Sequence, residues 1–274
     1  MSPHEIRRCL QVGLDAVHAA APVALEHFRR PIAVDDKRKD GRYDPVTEAD
    51  RRIELVLRDR LLREFPDHAV LGEEHGRSGQ GAACWYIDPI DGTRAFISGM
   101  PTWGILLGLA LGDRPVVGIV HQPFTGETWF AGRGEGAWFR HRGRDAPLRT
   151  RPGAHLADAV LYSTHPSMFQ DRVLRDRYDR LAERCRLQRW GGDCYAFALV
   201  AQGGIDLMID AGLMPYDIVP LVPIIEEAGG VVTDLEQRVP MGGGTVIAAA
   251  NAALHAEALK IMSGTGGPDA EERP

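Results

Sequence analysis

The sequence predicts an α/β (α+β) fold of layered helices and sheets, and three observations carry that expectation. Apolar residues recur at helical spacing near the N-terminus. Short apolar runs punctuated by Gly, Asp and Pro fill the centre, and strand and helix patterns alternate from about Ala154 onward. The chain has 274 residues, 44% of them hydrophobic, which is enough to fill one large core or two modest ones.

The first helix is marked by Ile6, Leu10, Leu14, Val17, Ala21 and Leu25, with Pro22 as an expected kink, and the polar stretch VDDKRKDGRYDP ends it. A second helix carries Ile53, Val56, Leu57, Leu61 and Phe65. Thr47 is placed to cap it, Asp50 stands three residues on, and Pro66 stops it. Cys84 to Asp88, Ile105 to Leu111, Pro115 to Pro123 and Glu127 to Ala131 then read as consecutive, largely antiparallel strands. GRGEGAWF (Gly132 to Phe139) lacks the last glycine of a dinucleotide-binding loop and reads as a hairpin turn. The Arg-rich stretch Arg140 to Gly153 reads as a solvated loop joining two subdomains, residues 1–146 and 147–262. Beyond it come a strand at AVLYS, a helix around Phe169 to Glu183, a strand at RLQRW and a helix after Asp193. A strand at IDLMI, one helix over Pro215 to Ala228, strands at GVVTD and TVIAAA and a closing helix follow. The low-complexity tail, Ser263 to Pro274, is expected to be disordered.

Composition narrows the function. The 38 acidic against 32 basic residues leave a formal charge of −6, which disfavours a generic nucleic-acid binder. The apolar runs are too short to span a bilayer and MSPHEIRRCL has no secretory apolar region, so neither a membrane nor an export role is expected and the location reads as cytoplasmic. Cys9, Cys84, Cys185 and Cys194 lack C-x-x-C spacing and read as reduced, small hydrophobes. No P-loop and no G-x-S-x-G elbow is present.

The densest chemistry lies at Asp88-Pro89-Ile90-Asp91-Gly92-Thr93, directly after an apolar strand. Asp88 and Asp91 are expected to leave the strand end on the same side, where two carboxylates repel unless a cation or proton lies between them. An Asx-rich turn is the plainer reading of the same residues. Glu73 and Glu74 follow another short apolar run, and Asp217 opens an apolar helix; alone, these read as a solvated pair and an ordinary N-terminal helix acid. Hard oxygen ligands without His or Cys pairs point to Mg²⁺, with Mn²⁺ as a substitute, rather than to zinc.

GEE (Gly72 to Glu74), DPIDGTRAF (Asp88 to Phe96), PVTEAD (Pro45 to Asp50) and PYDIVPLVPIIEEAGG (Pro215 to Gly230) resemble, in order and spacing, the inositol monophosphatase family over roughly residues 5 to 262. TRAFISGMPTWG (Thr93 to Gly104) and the stretch from Arg189 to Asp217 look most like its histidinol-phosphate phosphatase branch. The resemblance implies a layered αβαβα sandwich, a homodimer and a small phosphorylated substrate. It also implies that Glu73, Asp88, the carbonyl of Ile90, Asp91 and Asp217 hold two or three Mg²⁺ ions. In this reading Thr93, polarised by Asp50, activates a water, Glu73 also accepts its proton, and the amides of Gly92 and Thr93 cradle the phosphate. Lys39 matches a lysine that the family places near the metals, although the Arg42-Tyr43 pair departs from the family's short linker.

L-histidinol phosphate presents an ammonium and an imidazole, which call for a carboxylate and a flat apolar surface. Asp210 resembles the position that meets the substrate's non-phosphate end, being an aspartate where a longer glutamate is expected. Asp193 is either a helix cap or a substrate contact, Trp103 and Trp190 are either ring contacts or core, and Gly191 and Gly192 permit close approach. Hydrolysis of inositol-1-phosphate or another sugar or nucleotide phosphate is the alternative on the same core. A non-catalytic metal-binding protein is the alternative of another class.

Overall fold

In the computed structural model, which describes residues 1–36 and 45–265, helices and sheets alternate in five layers. Helices α1 (Pro3–His27) and α2 (Glu48–Glu64) form the first. The second is an eight-stranded sheet containing β3 (Ala69–Gly72), β4 (Gly76–Ser78), β5 (Ala83–Asp91), β6 (Gly104–Leu111), β7 (Arg114–Gln122), β8 (Glu127–Gly132), β9 (Gly136–His141) and β10 (Arg144–Pro147). Its order is β10-β9-β8-β7-β6-β5-β3-β4, antiparallel except where β3 runs parallel to β5. A small ribbon, β1 (Val34–Asp36) with β2 (Pro45–Thr47), leads into α2, and α3 (Thr93–Ser98) follows β5.

The chain then builds β11 (Val160–Ser163), α4 (Arg172–Ala182), β12 (Leu187–Trp190), α5 (Asp193–Ala201), β13 (Leu207–Leu213), α6 (Pro215–Ile218), α7 (Leu221–Glu227), β14 (Val231–Asp234), β15 (Gly244–Ala249) and α8 (Ala252–Ser263). Its strands form a five-stranded sheet in the order β12-β11-β13-β15-β14. Helices α5 and α7 lie between the two sheets, and α4 and α8 cover the far face of the smaller one. Each junction has its own apolar core: Val17, Leu57, Trp85 and Leu107 in the first; Leu106, Val120, Phe197 and Ile224 in the second; Leu161, Tyr178, Ile247 and Leu254 in the third. Leu106 and Leu107 point to opposite layers, which is why β6 is apolar at both parities. Among the described residues no helix is long and apolar enough to cross a membrane.

Several local expectations are met. Thr47 and Asp50 form a capping box on α2, and α2 stops at Glu64 because Phe65 precedes Pro66 and leaves helical geometry. The Arg133–Glu135 turn joins β8 to β9 as a hairpin. Others are corrected. Half of Arg140–Gly153 is not loop but the β9–β10 hairpin, turned by Arg142 and Gly143 at φ 51° and 71°. The helix expected over Pro215–Ala228 is two helices, because Pro220 has no amide proton to continue the first. Pro220 also seats its carbonyl on β7, where a Cβ on Gly118 would lie 2.0 Å from that oxygen. Helix α8 extends to Ser263 and is capped by left-handed Gly264, so the low-complexity tail begins later than expected; residues 266–274 lie outside the described residues.

Candidate active site

Strand β5 supplies two of the acids through a break in its own regularity. Asp88 opposes Leu106 while Asp91 opposes Gly104, so three steps on β5 meet two on β6. In a regular strand, residues three apart face opposite sides; the extra residue of the bulge returns Asp91 to the side of Asp88. Asp88 is buried, and its Oδ1 accepts from the Ile90 amide at 3.0 Å. Parallel pairing of β3 with β5 sets Gly72 beside Ile87, and the Glu73 amide donates to the Ile87 carbonyl at 3.2 Å. Glu73 therefore leaves its strand next to Asp88. Asp217 arrives from α6, after β13 of the five-stranded sheet, and its carboxylate accepts from the Met214 amide at 2.8 Å, closing the helix start.

Carboxylate oxygens of Asp88, Asp91 and Asp217 all lie within 4.8 Å of one another. Burial, then the charges of Glu73, Asp91, Asp217 and Asp50, push the Asp88 carboxyl well above the usual range. Burial raises Asp91 against the opposing hydrogen bond from Cys194, and burial with the Asp91 charge raises Asp217. An all-oxygen set whose members repel one another in this way fits a hard divalent cation. Glu73 is outside the tight trio, but its charge is felt at Asp88.

The facing wall comes from α5. Gly191 and Gly192 sit at φ 98° and 111°, and Asp193 itself at φ 44°. This left-handed run turns the chain sharply after β12, so that the Cys194 amide donates to Asp91 Oδ2 at 2.6 Å. A cavity of about 110 Å³ opens here. Its acids are Asp91, Asp193, Asp210 and Asp217; its apolar side is Met168, Phe197, Leu213 and Leu221. Gly92, at φ 81°, faces Asp193 so closely that a Cβ would lie 3.1 Å from the carboxyl carbon. Burial and the charges of Asp91 and Asp210 raise Asp193, opposed by Arg94.

Three expectations change on this geometry. The Thr93 hydroxyl donates to the Ile90 carbonyl at 3.1 Å, whereas Asp50 accepts from the Thr47 amide and hydroxyl at 2.8 and 2.5 Å. The expected Asp50–Thr93 pairing is thus replaced by a helix cap and a turn bond, each with a nearer donor or acceptor. Burial raises Asp50 to about 6. Trp190 does not line the cavity, because its ring packs on Tyr178 at 5.1 Å and under Arg175; Trp103 is core, against Phe28 and Phe96. Asp210 does line it, but both its oxygens are engaged. Ser163 Oγ and the Thr164 amide donate to Oδ1, each at 2.8 Å, and Thr164 Oγ donates to Oδ2 at 2.7 Å. Lys39, Arg42 and Tyr43 lie outside the described residues.

Sequence reasoning missed Thr164, which closes the cavity from β11, and it missed Glu54 and Arg58 beneath the Glu73 loop. Thr164 has no local sequence signal. Glu54 and Arg58 do have one: they are charges four residues apart on the face of α2 that buries Ile53, Leu57 and Leu61.

The chain is similar to known proteins over nearly its whole length. A family model for the inositol monophosphatase family matches residues 5–264. A histidinol-phosphatase from Chlorobaculum parvum is 35% identical, over 89% of this chain and 93% of its own length. The bifunctional phosphatase IMPL2 of Arabidopsis thaliana chloroplasts is 34% identical, over 96% and 77%. A solved inositol monophosphatase from Zymomonas mobilis superposes with a TM-score of 0.83 at 35% identity, over 96% of this chain and 99% of its own. This chain belongs to the inositol monophosphatase family, a family of metal-dependent phosphatases.

Proposed function

We propose that the protein is a Mg²⁺-dependent phosphomonoesterase that hydrolyses L-histidinol phosphate to L-histidinol and phosphate. The observation that carries the reading is the pairing of two unlike acidic groups at one small cavity: Asp91 and Asp217, which cluster with the buried Asp88 behind them, and Asp193 across from them beside an apolar wall. The trio, with Glu73 and the Ile90 carbonyl, would hold two or three cations. When bound, these neutralise the phosphate ester, make a water acidic and stabilise the departing alkoxide. Gly92, free of a side chain, leaves its amide and that of Thr93 open to the phosphate oxygens. Thr93, whose hydroxyl bonds to the Ile90 carbonyl, orients the attacking water, while Glu73 accepts its proton. Met168, Phe197 and Leu213 offer an imidazole a flat apolar surface, and Asp193 offers the ammonium a counter-charge.

The second reading is hydrolysis of inositol-1-phosphate. Asp210 favours it in one respect: with its oxygens already bonded to Ser163 and Thr164, it is not free to meet an ammonium, a group that inositol-1-phosphate lacks. The ratio of kcat/KM for histidinol phosphate over inositol-1-phosphate decides between them. Asp193→Asn should lower that ratio about 10-fold or more, the size expected for losing a charged partner of a buried ammonium. A wild-type preference for inositol-1-phosphate refutes the histidinol assignment, and a ratio unmoved by Asp193→Asn refutes the role of that side chain. The homodimer belongs to the same reading and is checked by light scattering.

A further inference from the structure

We propose that Glu54 and Arg58 on α2 are positioning residues: a buried clamp that shapes the Gly72–Ser78 hairpin and so sets Glu73 for metal binding. The inference rests on the metal role proposed above for Glu73 and extends it to two side chains that do not line the cavity.

Glu54 is wholly buried, and Arg58 Nε donates to its Oε1 at 2.6 Å. From that pair, bonds run to most of the hairpin. Glu54 Oε2 accepts from the Glu74 amide at 2.7 Å, and Oε1 accepts from the His75 amide at 3.2 Å, with His75 Nδ1 at 3.3 Å. Arg58 donates to Ser78 Oγ at 2.9 Å and to the Gly76 carbonyl. One carboxylate therefore holds the turn and one guanidinium holds the returning strand.

Apart from this clamp the hairpin is held by backbone pairing, β4 on β3 and the Glu73 amide on Ile87. All of β4 is exposed, so it adds no apolar anchor of its own. The pair sits on a rigid base, since Ile53, Leu57 and Leu61 on the same helix face are fully buried. Gly72 shows how tightly the two parts fit: a Cβ there would lie 2.1 Å from Glu54 Oε1, so the glycine before Glu73 and Glu74 is dictated by the carboxylate beneath it. A buried ion pair of this kind gains little net stability, because desolvation offsets the attraction. What it supplies is a fixed geometry for the backbone that carries Glu73. Asp50 lies in the first turn of the same helix, so α2 sets both acids from one rigid element.

The test uses the full-length chain carrying Glu54→Gln or Arg58→Lys. Calorimetric titration with Mg²⁺ should show affinity weakened about 10- to 100-fold, the range for groups behind a metal ligand. Rates of phosphate release at saturating Mg²⁺ should recover toward wild type, and amide exchange should quicken at residues 72–78 but not in α1 or β7. Should Glu54→Gln fail to fold, Arg58→Lys keeps the charge and loses only the fork that reaches both Ser78 and Gly76. Variants that melt earlier yet bind Mg²⁺ as wild type does, with unchanged exchange in the hairpin, overturn the proposal. A wild-type protein that takes up no Mg²⁺ instead refutes the metal reading, while the exchange measurement still decides whether the clamp exists.

Discussion

Asp91→Asn should make the metal-free protein more stable and the enzyme inert. Asp91 brings a carboxylate oxygen within 4.8 Å of those of both Asp88 and Asp217. At an effective dielectric near 20, two full charges at that separation repel by about 3.5 kcal/mol. The raised carboxyls share protons rather than ionise together, so the repulsion relieved is smaller, about 1–3 kcal/mol. An asparagine oxygen can still accept the Cys194 amide, which leaves the fold its local bond. In scanning calorimetry at pH 8 without Mg²⁺, each kcal/mol should raise Tm by about 2–4 °C. The sign with pH follows from linkage. The native carboxyls hold protons to higher pH than the unfolded chain does, so their destabilising effect grows as pH rises and fades as pH falls toward the ordinary carboxylate range. The gap between wild type and variant should therefore close on acidification. Added Mg²⁺ should raise the Tm of wild type and leave the variant nearly unmoved, with phosphate release reduced by about 100-fold or more. A variant that keeps Mg²⁺-dependent turnover, or that melts below wild type in the absence of metal at pH 8, would falsify the reasoning.

Two further outcomes test the scaffold. Gly118→Ala should cost about 1–3 kcal/mol in denaturant unfolding and lower activity, because its methyl group must displace the Pro220 carbonyl that seats the α6–α7 break; an unchanged midpoint would show that this contact yields freely. Burial holds His121 down at about 4, helped by His18, so the folded protein keeps it neutral while the unfolded chain protonates near 6.5. Stability should then fall by about 3 kcal/mol as pH drops from about 6.5 to 4. His121→Gln should flatten that stretch of the curve, and an identical slope would exclude His121 as its source.

Much of the frame was legible because it depends on short-range rules. Thr47 and Asp50 announce a helix start, Pro66 a stop, and the apolar runs of β5 to β8 consecutive, antiparallel strands. The convergence of Asp88 and Asp91 was legible from their position at a strand end beside Pro89. What could not be read was anything decided by a partner distant in sequence. Pro220 lays its carbonyl on β7 at Gly118, a seat that no local pattern announces. Asp210 spends its oxygens on Ser163 and Thr164 because parallel pairing of β11 with β13 brings them alongside. Trp190 faces α4 rather than the cavity because Tyr178 waits there. In each case the local pattern allows two orientations, and tertiary packing chooses.

The site occupies the places where regular structure fails, and this has a mechanical reason. Regular strands and helices repeat their side-chain directions with fixed periods, so they seldom aim several acids at one point. Here β5 bulges between Asp88 and Asp91, and β13 shifts register between Asp210 and Leu213. Gly92 and Asp193 sit in left-handed backbone. Each irregularity redirects a carboxylate, and each abuts a layer with a filled apolar core that holds it in place. Carboxylates that repel one another would spread apart on a flexible loop. Fixed by packed strands and a capped helix, they remain close, and the repulsion is relieved by whatever positive charge enters. The stability cost built into the Asp91 corner is therefore the same free energy that draws a cation to it, so removing one should abolish the other.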